Sequence, residues 1–345
     1  MKRFIGILLI IALMLTTFVG CGGTTGGDQD NNQGQGNGAA GESYTIRLGH
    51  VTQVSHPFHI ASEEFARLVE EKSDGRITIE LFPARALGDD RELLEQVMNN
   101  TLDMAVVSGP VFSAYTPIID TLQMPFLLNT YEKEMAALQS DEMQAILDAL
   151  SDFNLKGLGV FEGGMRYLAS AKGPIKSPED LKGLKLRTTQ SDLIMNVISA
   201  LGGNPNPMAY GEVYTGLQTK VIDGEEINLT SISAEKHYEV LSDVTEVGLF
   251  PFPGIVIMSQ AKFDSLPAED QAIIQEAAKE AMITVLEKLP EIDEEARKNI
   301  EANSDVKILT GVDPAPFEAL VQDIYAEYEE KDPLIKAFIE MAKGL

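Results

Sequence analysis

One arginine at the end of a short apolar run is the first candidate for ligand chemistry in this 345-residue chain. Arg187 lies within "SPEDLKGLKLRTTQ", residues 177–190. The chain carries 53 acidic and 27 basic residues and a net charge of −26, so an arginine would ordinarily pair with an internal acid such as Glu212. A guanidinium can also hold a ligand's carboxylate through two parallel hydrogen bonds, which lysine cannot reproduce. Both interpretations are open at this point.

The familiar catalytic and cofactor-binding motifs are absent from the sequence. It has no HExxH, CxxC or GxSxG motif, no phosphate-binding loop and no GxGxxG fingerprint. His56 and His59 lie three residues apart at a predicted helix start, without a set of metal ligands around them, and are interpreted as capping or surface histidines. We therefore expect a binding protein without catalytic residues, metal or cofactor. Paired carboxylates among the 53 acids leave acid–base chemistry as an open alternative.

The amino-terminal 21 residues, "MKRFIGILLIIALMLTTFVGC", combine two cations with an apolar run that is short for a membrane span. Cys21 is the only cysteine, and "FVGC" resembles a bacterial lipobox, although Phe18 stands where Leu is more usual. We predict a lipoprotein signal peptide over residues 1–20 and a lipid anchor at Cys21, with an ordinary core cysteine as the alternative. Residues 21–43 form a predicted flexible linker because, after the cysteine, they lack Val, Leu, Ile and aromatic residues.

The remaining chain alternates predicted strands and helices. Apolar residues recur three and four positions apart in the helical segments, and in alternation or short runs in the strand segments. The predicted strands are 44–51, 77–83, 104–108, 155–164, 181–188, Val221–Ile222 and 254–260, and the predicted helices are 56–72, 89–103, 191–203, 211–220 and 267–302. This order indicates an α/β fold of two units with a cleft and a helical C-terminal region.

Charge and hydropathy restrict the partners of this folded body. Nucleic acid and anionic lipid require a basic face, which a chain of net charge −26 does not favour. No apolar segment of 18 or more residues follows the predicted signal peptide. We therefore expect no nucleic-acid partner and contact with the membrane through the lipid anchor only.

Several segments, in a fixed order, carry a family resemblance. They are "GHVTQVSHPFHIASEEFARLVEEKSDGRITIELFPARALGDDRELLEQVMNNTLDMAVV", "MPFLL", "SPEDLKGLKLRT", "ALGGNPNPMAYGEVYTGLQTKVIDGEE" and "FDSLPAEDQAIIQEAA". Over roughly residues 44–330 the chain resembles the extracytoplasmic solute-binding proteins of TRAP (tripartite ATP-independent periplasmic) transporters, the DctP-type family. The segment "EVYTGLQTKVIDGEE" is the most specific part of this resemblance.

The resemblance implies a two-lobed, periplasmic-binding-protein-like (type II) α/β fold with a hinged cleft. The expected first lobe comprises residues 44–164 and about 250–288, and the second comprises 165–249 and about 289–345. The implied ligand is a small organic acid, namely a dicarboxylate, a keto or hydroxy acid, or a sugar acid. It would be delivered outside the cytoplasm to the small and large membrane subunits of a TRAP permease. A binding protein for a sensor or an ABC-type importer is the alternative, and an enzyme acting on carboxylates is a more remote one.

The resemblance also implies roles for individual residues. Arg187 would clamp the solute carboxylate, and Arg166 in "GGMRYL" would assist. Tyr210 in "PMAYGEVY" would pack on the solute, with a core aromatic as the alternative. Ser108, after the strand "MAVVS", would supply a polar contact, or else cap a helix. The loop after the first strand adds two further candidates, Gln53 and His56.

One departure from the family pattern bears on specificity. Many relatives read D-G-Q-E-N or D-G-A-E-N where this chain has "DGEEIN", which places Ile227 at the fifth position. The resemblance implies a ligand-facing residue there, so Ile227 would remove a polar contact and Asn228 would replace it from the next position. Relatives also often have a histidine where Val247 and Gly248 stand here. These differences predict a somewhat apolar wall of the pocket.

Overall fold

The computed structural model describes residues 43–345. The predicted signal peptide, Cys21 and nearly all of the predicted linker lie outside the described residues. The described residues form two sheets, each covered by helices, and each sheet with its helices is called a lobe below. None of the helices in this part of the chain is long and apolar enough to cross a membrane.

The first lobe is built on a five-stranded sheet in the order β2-β1-β3-β10-β4. Its strands are β1 (Tyr44–His50), β2 (Ile77–Phe82), β3 (Met104–Ser108), β4 (Leu155–Glu162) and β10 (Pro253–Ser259). β1 pairs in parallel with β2 and β3, whereas β10 is antiparallel to β3 and β4. The helices of this lobe are α1 (Pro57–Lys72), α2 (Asp90–Met98), α3 (Tyr131–Leu138), α4 (Asp141–Ala149) and α8 (Gln260–Asp264).

Helix α1 shows why the pattern predicted this lobe well. Its apolar residues Phe58, Ala61, Phe65, Leu68 and Val69 recur three or four positions apart and are all buried. One apolar face therefore packs on the sheet, while the acidic residues between these positions remain outside. The predicted strand 104–108 is likewise confirmed, because all five residues of β3 are buried, as a central strand requires.

The second lobe is built on a six-stranded sheet in the order β11-β9-β5-β8-β6-β7. Its strands are β5 (Tyr167–Ser170), β6 (Lys185–Thr188), β7 (Asn204–Pro207), β8 (Gly224–Ile227), β9 (Asp243–Thr245) and β11 (Lys307–Leu309). Its helices are α5 (Asp192–Ala200), α6 (Val213–Gln218) and α7 (Leu229–Ala234). The predicted two-lobed α/β architecture is confirmed.

The predicted strand Val221–Ile222 is wrong. Val221 is 50% exposed, and the strand β8 begins three residues after it, at Gly224. A side chain at Gly224 would place its Cβ only 2.2 Å from the carbonyl oxygen of Ala169 on the neighbouring strand β5. Glycine therefore starts this strand because β5 passes too closely for any other residue.

Two chain segments and one long helix connect the lobes. Residues 163–165 and 250–252 run side by side, with Gly163 N donating to Phe252 O at 2.9 Å. The Glu162 carboxylate accepts from the backbone nitrogens of both Gly164 (2.8 Å) and Phe252 (2.7 Å), and so fastens one segment to the other. Helix α9 (Ala268–Asn303) contacts α1 and β4 in the first lobe and α7 in the second.

The carboxy-terminal helices α10 (Ala315–Glu329) and α11 (Pro333–Lys343) do not follow the expected division. Residues 289–345 were expected to belong to the second lobe. Helix α11 instead packs against α3 and α4 of the first lobe, and α10 packs against α5 of the second. The apolar face of α11, which includes Phe338 and Ile339, is buried there. Burial of this face therefore holds the last helix against the first lobe.

Candidate functional site

A cavity of about 200 Å³ lies between the two lobes. The first lobe lines it with Val51, Thr52, Asp89, Asp90, Arg91, Glu92, Ser108 and Val111. The second lobe and the connecting segments line it with Arg166, Arg187, Thr189, Gln190, Met208, Ala209, Tyr210 and Phe252. Four predicted site residues therefore meet in one place, namely Arg166, Arg187, Tyr210 and Ser108.

Arg187 reaches the cavity from strand β6 and is 2% exposed. Its Nε and Nη2 both donate to the carbonyl oxygen of Met208, at 3.2 and 3.0 Å. Burial lowers the pKa of Arg187, an effect that the nearby Glu226 carboxylate opposes. Among the described residues no acidic side chain forms an ion pair with Arg187, and Glu212 is no exception. The interpretation of Arg187 as one half of an internal ion pair is therefore wrong.

Arg166 is buried beside Arg187 but has its own counterion. Its Nε donates to Glu226 Oε2 at 2.5 Å, and its Nη2 donates to the Glu226 backbone oxygen. The guanidinium carbon lies 4.4 Å from the centre of the Phe252 ring, a cation–π contact. Glu226 Oε1 also accepts from Thr189 N at 3.1 Å. Glu226 therefore fixes Arg166 and the strand end that follows Arg187.

A second buried acid near Arg187, Glu225, also has a hydrogen-bond partner. Glu225 is fully buried, and its Oε1 lies 2.8 Å from His237 Nδ1. Glu226 and Glu225 are thus hydrogen-bonded to Arg166 and His237, and they act on Arg187 through electrostatics without an ion-pair contact. A buried cation without its own ion pair is unfavourable unless a ligand supplies the charge. The site is therefore electrostatically suited to an anionic group beside Arg187.

Ser108 and Asp90 form a second polar feature of the cavity, on the wall that the first lobe contributes. Asp90 Oδ1 accepts from Ser108 N at 3.0 Å, and Oδ2 accepts from Ser108 Oγ at 2.8 Å. Burial raises the pKa of Asp90 to about 6, against the opposing effect of these two bonds. The alternative role of Ser108 as a helix cap is not observed, since its side chain makes no cap bond.

Two hydroxyl groups in the cavity wall bear on the chemistry of a ligand. Thr189 is 5% exposed, and its Oγ1 is buried with no hydrogen-bond partner. The Tyr210 hydroxyl is also buried, and it lies near Ser231 without a bond of ordinary geometry. Burial raises the pKa of Tyr210, so the phenol stays protonated and can donate. A buried hydroxyl without a partner costs free energy that a polar ligand group would recover.

Ile227 and Asn228, two predicted ligand-binding residues, do not line the cavity. Ile227 is fully buried in the second-lobe core. Asn228 caps α7 by accepting from Ser231 N at 3.3 Å, and its Nδ2 donates to Gly163 O at 2.6 Å. Successive strand residues face opposite ways, so Glu226 is directed to the arginines and Ile227 to the core.

Gln53 and His56 also lie outside the cavity lining, although Val51 and Thr52 from the same loop belong to it. His56 begins α1, where its Nδ1 accepts from Phe58 N at 3.2 Å. Burial lowers the pKa of His56 to about 3, so the ring is neutral and its Nε2–H faces Ser231 Oγ at 3.2 Å. Gln53 donates to Glu235 at 3.2 Å. Both side chains thus bind the opposite lobe.

Sequence reasoning missed several lining residues. Thr189 and Gln190 directly follow the arginine in "LRTTQ", and proximity to Arg187 was the available signal. Asp89, Asp90 and Glu92 begin α2, and the pattern of an acid followed three residues later by Glu indicates a capping box, which is present. Phe252 in "LFPFPG" supplies an aromatic wall, whereas Ile227, Val247 and Gly248, on which the predicted apolar wall was based, are not among the lining residues.

Within residues 43–345, no group of three or more histidine, cysteine or acidic side chains is placed to hold a metal ion. The arrangement offers hydrogen-bonding groups and, in Arg187, a buried guanidinium without an ion-pair contact among the described residues.

Comparison with known families agrees with this geometry. The family model described as "Bacterial extracellular solute-binding protein, family 7" (DctP) matches residues 48–332. A solute-binding protein of Chromohalobacter salexigens is 32% identical over 285 residues, which cover 83% of this chain and 84% of that protein. The 2,3-diketo-L-gulonate-binding periplasmic protein YiaO of Escherichia coli is 31% identical over 307 residues, which cover 86% of this chain and 92% of that protein.

Solved structures resemble the whole described body. A TRAP periplasmic solute-binding protein of Chromohalobacter salexigens with bound D-glucuronate has a TM-score of 0.80 and 29% identity, covering 87% of this chain and 99% of that one. The sugar-acid-binding protein DctPAm of Advenella mimigardefordensis, in complex with galactonate, has a TM-score of 0.82 and 27% identity, covering 88% and 99%. The two-lobed fold is therefore that of periplasmic solute-binding proteins.

Proposed function

This chain belongs to the DctP-type family of TRAP extracytoplasmic solute-binding proteins, and we propose that it captures a sugar acid with Arg187 as the carboxylate clamp. In this proposal the protein closes its two lobes around the acid and delivers it to the small and large membrane subunits of a TRAP permease. Cys21 would tether the protein to the membrane by a lipid. The protein would bind and release its solute without chemical change.

The observation that carries the proposal is the state of Arg187. It is 2% exposed, lines the cavity, and has only a backbone carbonyl as its hydrogen-bond partner. A solute carboxylate beside it would supply the ion-pair contact that the described residues do not provide. Hydrogen bonds to charged groups contribute about 1.5–3 kcal/mol each. Two of them would provide a large share of the roughly 8 kcal/mol that corresponds to micromolar affinity.

The rest of the cavity supports a solute with one carboxylate and several hydroxyl groups. The second buried arginine, Arg166, is already paired with Glu226, and the third arginine of the lining, Arg91, is exposed, so Arg187 is the one buried arginine of the lining without an ion pair. Hydroxyl groups would suit the unpartnered Thr189 Oγ1 and the carboxylate of Asp89, which lines the same cavity. Structural neighbours bind glucuronate, galacturonate and galactonate. We therefore favour a sugar acid over a dicarboxylate.

The first test is a thermal-shift screen of the protein against organic acids, with neutral sugars and amino acids as controls. An acid at a hundred times its Kd should stabilise the folded state by about 2.7 kcal/mol. We expect sugar acids to raise the Tm and the corresponding neutral sugars to have no effect. Hits confined to neutral compounds would contradict the role of Arg187.

The second test changes the clamp itself and is read by calorimetry with the best acid from the screen. Arg187→Lys keeps the charge but loses the two-pronged geometry, so affinity should fall more than about tenfold, the equivalent of one lost charged hydrogen bond. Arg187→Ala should lose about a hundredfold or more by the same reasoning. Arg47→Lys, on the half-exposed outer part of β1, is the matched control and should bind as the wild type does. Unchanged affinity in Arg187→Ala would refute the clamp.

A further inference from the structure

Glu235, which ends α7 in the second lobe, is bound by two side chains of the first lobe. Arg85 Nη1 donates to Oε1 at 3.1 Å, and Arg85 Nη2 donates to Oε2 at 3.2 Å. Gln53 Nε2 also donates to Oε1, at 3.2 Å. The ion pair is largely shielded from water, since the two charged side chains are 24% and 15% exposed. A paired guanidinium–carboxylate contact demands one relative orientation of its partners, so this contact requires the present closeness of the lobes.

Arg85 also contacts one residue on each wall of the cavity, although it does not line the cavity itself. Its Nη1 donates to the backbone oxygen of Val51 at 3.0 Å. Its guanidinium carbon lies 5.5 Å from the centre of the Tyr210 ring, on the other lobe. Val51 and Tyr210 are both cavity-lining residues. When the Arg85–Glu235 ion pair forms, Arg85 therefore contacts Val51 on one cavity wall and Tyr210 on the other.

The backbone that presents Arg85 is held in an unfavourable conformation. Ala84 and Arg85 have φ angles of 53° and 65°, in the left-handed region that side chains other than glycine seldom adopt. Two hydrogen bonds enforce it: Ala84 N donates to Thr52 O at 2.9 Å, and Arg85 N donates to His50 O at 3.3 Å. Such strain persists only where the surrounding structure imposes it, and it accumulates at ligand clamps and switch regions.

We infer that Arg85 and Glu235 are positioning residues for solute binding, forming a latch that holds the lobes closed without touching the solute. The inference rests on the proposed solute-binding role of the cavity. Because the latch exists only in the closed arrangement, its loss should accelerate release more than it slows capture. Salt should weaken it, since the pair keeps some contact with water.

The experiment measures lobe closure by single-molecule fluorescence energy transfer. Cys21→Ser removes the only native thiol, and Glu80→Cys and Gln218→Cys then carry one dye on each lobe, at exposed positions. Closed fractions and closed-state lifetimes are recorded without solute and with D-glucuronate as the probe. Records at low and high salt report on the electrostatic part.

Charge reversal separates a latch from a merely structural contact. Arg85→Glu and Glu235→Arg should each shorten the closed-state lifetime about tenfold, which corresponds to about 1.4 kcal/mol. The double variant restores the pair in the opposite sense and should recover much of that loss. Asp305→Arg makes the same charge change at an exposed site of the second lobe and should behave as the wild type does.

Each outcome decides the inference. Unchanged lifetimes in both single variants, or no recovery in the double variant, would overturn it. A wild type with no closed population while D-glucuronate is bound would also overturn it. If D-glucuronate fails to bind while the solute-free closed fraction still responds to charge reversal, the latch stands and the choice of sugar acid under the proposed function is wrong.

Discussion

Glu226→Gln is the perturbation that tests the electrostatic design of the site without any ligand. Glu226 is fully buried and neutralises Arg166 through a 2.5 Å contact, while its other oxygen accepts from Thr189 N at 3.1 Å. Glutamine keeps the volume but removes the charge and offers only one acceptor oxygen. One of the two donors must then face an amide NH₂ group, and Arg166 loses the only carboxylate with which it forms an ion pair among the described residues.

Removing one partner of a buried ion pair costs about 3–5 kcal/mol. Whole domains are stable by only about 5–15 kcal/mol, so the variant should fold but with much of its stability lost. The free energy of unfolding is measured by urea denaturation followed by circular dichroism, with the m value as a check on two-state behaviour. Glu80→Gln, at an exposed position of β2, is the matched control and should change stability by less than about 0.5 kcal/mol.

A double-mutant cycle assigns the loss to the pair. Arg166→Met removes the buried cation, so Glu226→Gln should cost much less in that background than in the wild type. The reasoning would be refuted if Glu226→Gln lowered the free energy of unfolding by less than about 1 kcal/mol with an unchanged m value, because a loss that small lies below the range for broken buried pairs.

Two further predictions follow from burial. Ile227→Asn should leave the preference among acids unchanged but lower the free energy of unfolding by about 3 kcal/mol or more, because it removes a buried apolar side chain and inserts an unpaired amide. A changed ranking of acids in calorimetry would show that Ile227 contributes to the ligand pocket. Burial raises the pKa of Asp120 to about 7 from a model-peptide value of 3.8. The folded chain therefore holds this proton to higher pH than the unfolded chain does, and stability should fall by up to about 1.4 kcal/mol per pH unit between those values. Asp120→Asn should flatten that part of a pH series of thermal melts, and an unchanged slope would exclude this carboxyl as the cause.

Local pattern determined the long elements and the first lobe's central strands. Helix α1 and strand β3 follow from apolar spacing, because burial of one face or one short run is encoded within a single segment. The short strands of the second lobe do not: β9 and β11 have three residues each, and their pairing comes from contacts far away in the chain. Strand β8 was misplaced for the same reason, since its start depends on how closely β5 passes.

The sequence by itself also determined that Arg187 lies at the end of a short apolar run and that the chain is strongly acidic. Only the tertiary structure decided which residues around that arginine compete for it. Glu226 takes Arg166 and Glu225 takes His237, and these pairings leave Arg187 without an ion pair. Likewise, Gln53 and His56 face residues of α7 that lie about 180 positions further along the chain. Charge pairing and side-chain direction are set by long-range packing, which the order of residues in a single segment does not encode.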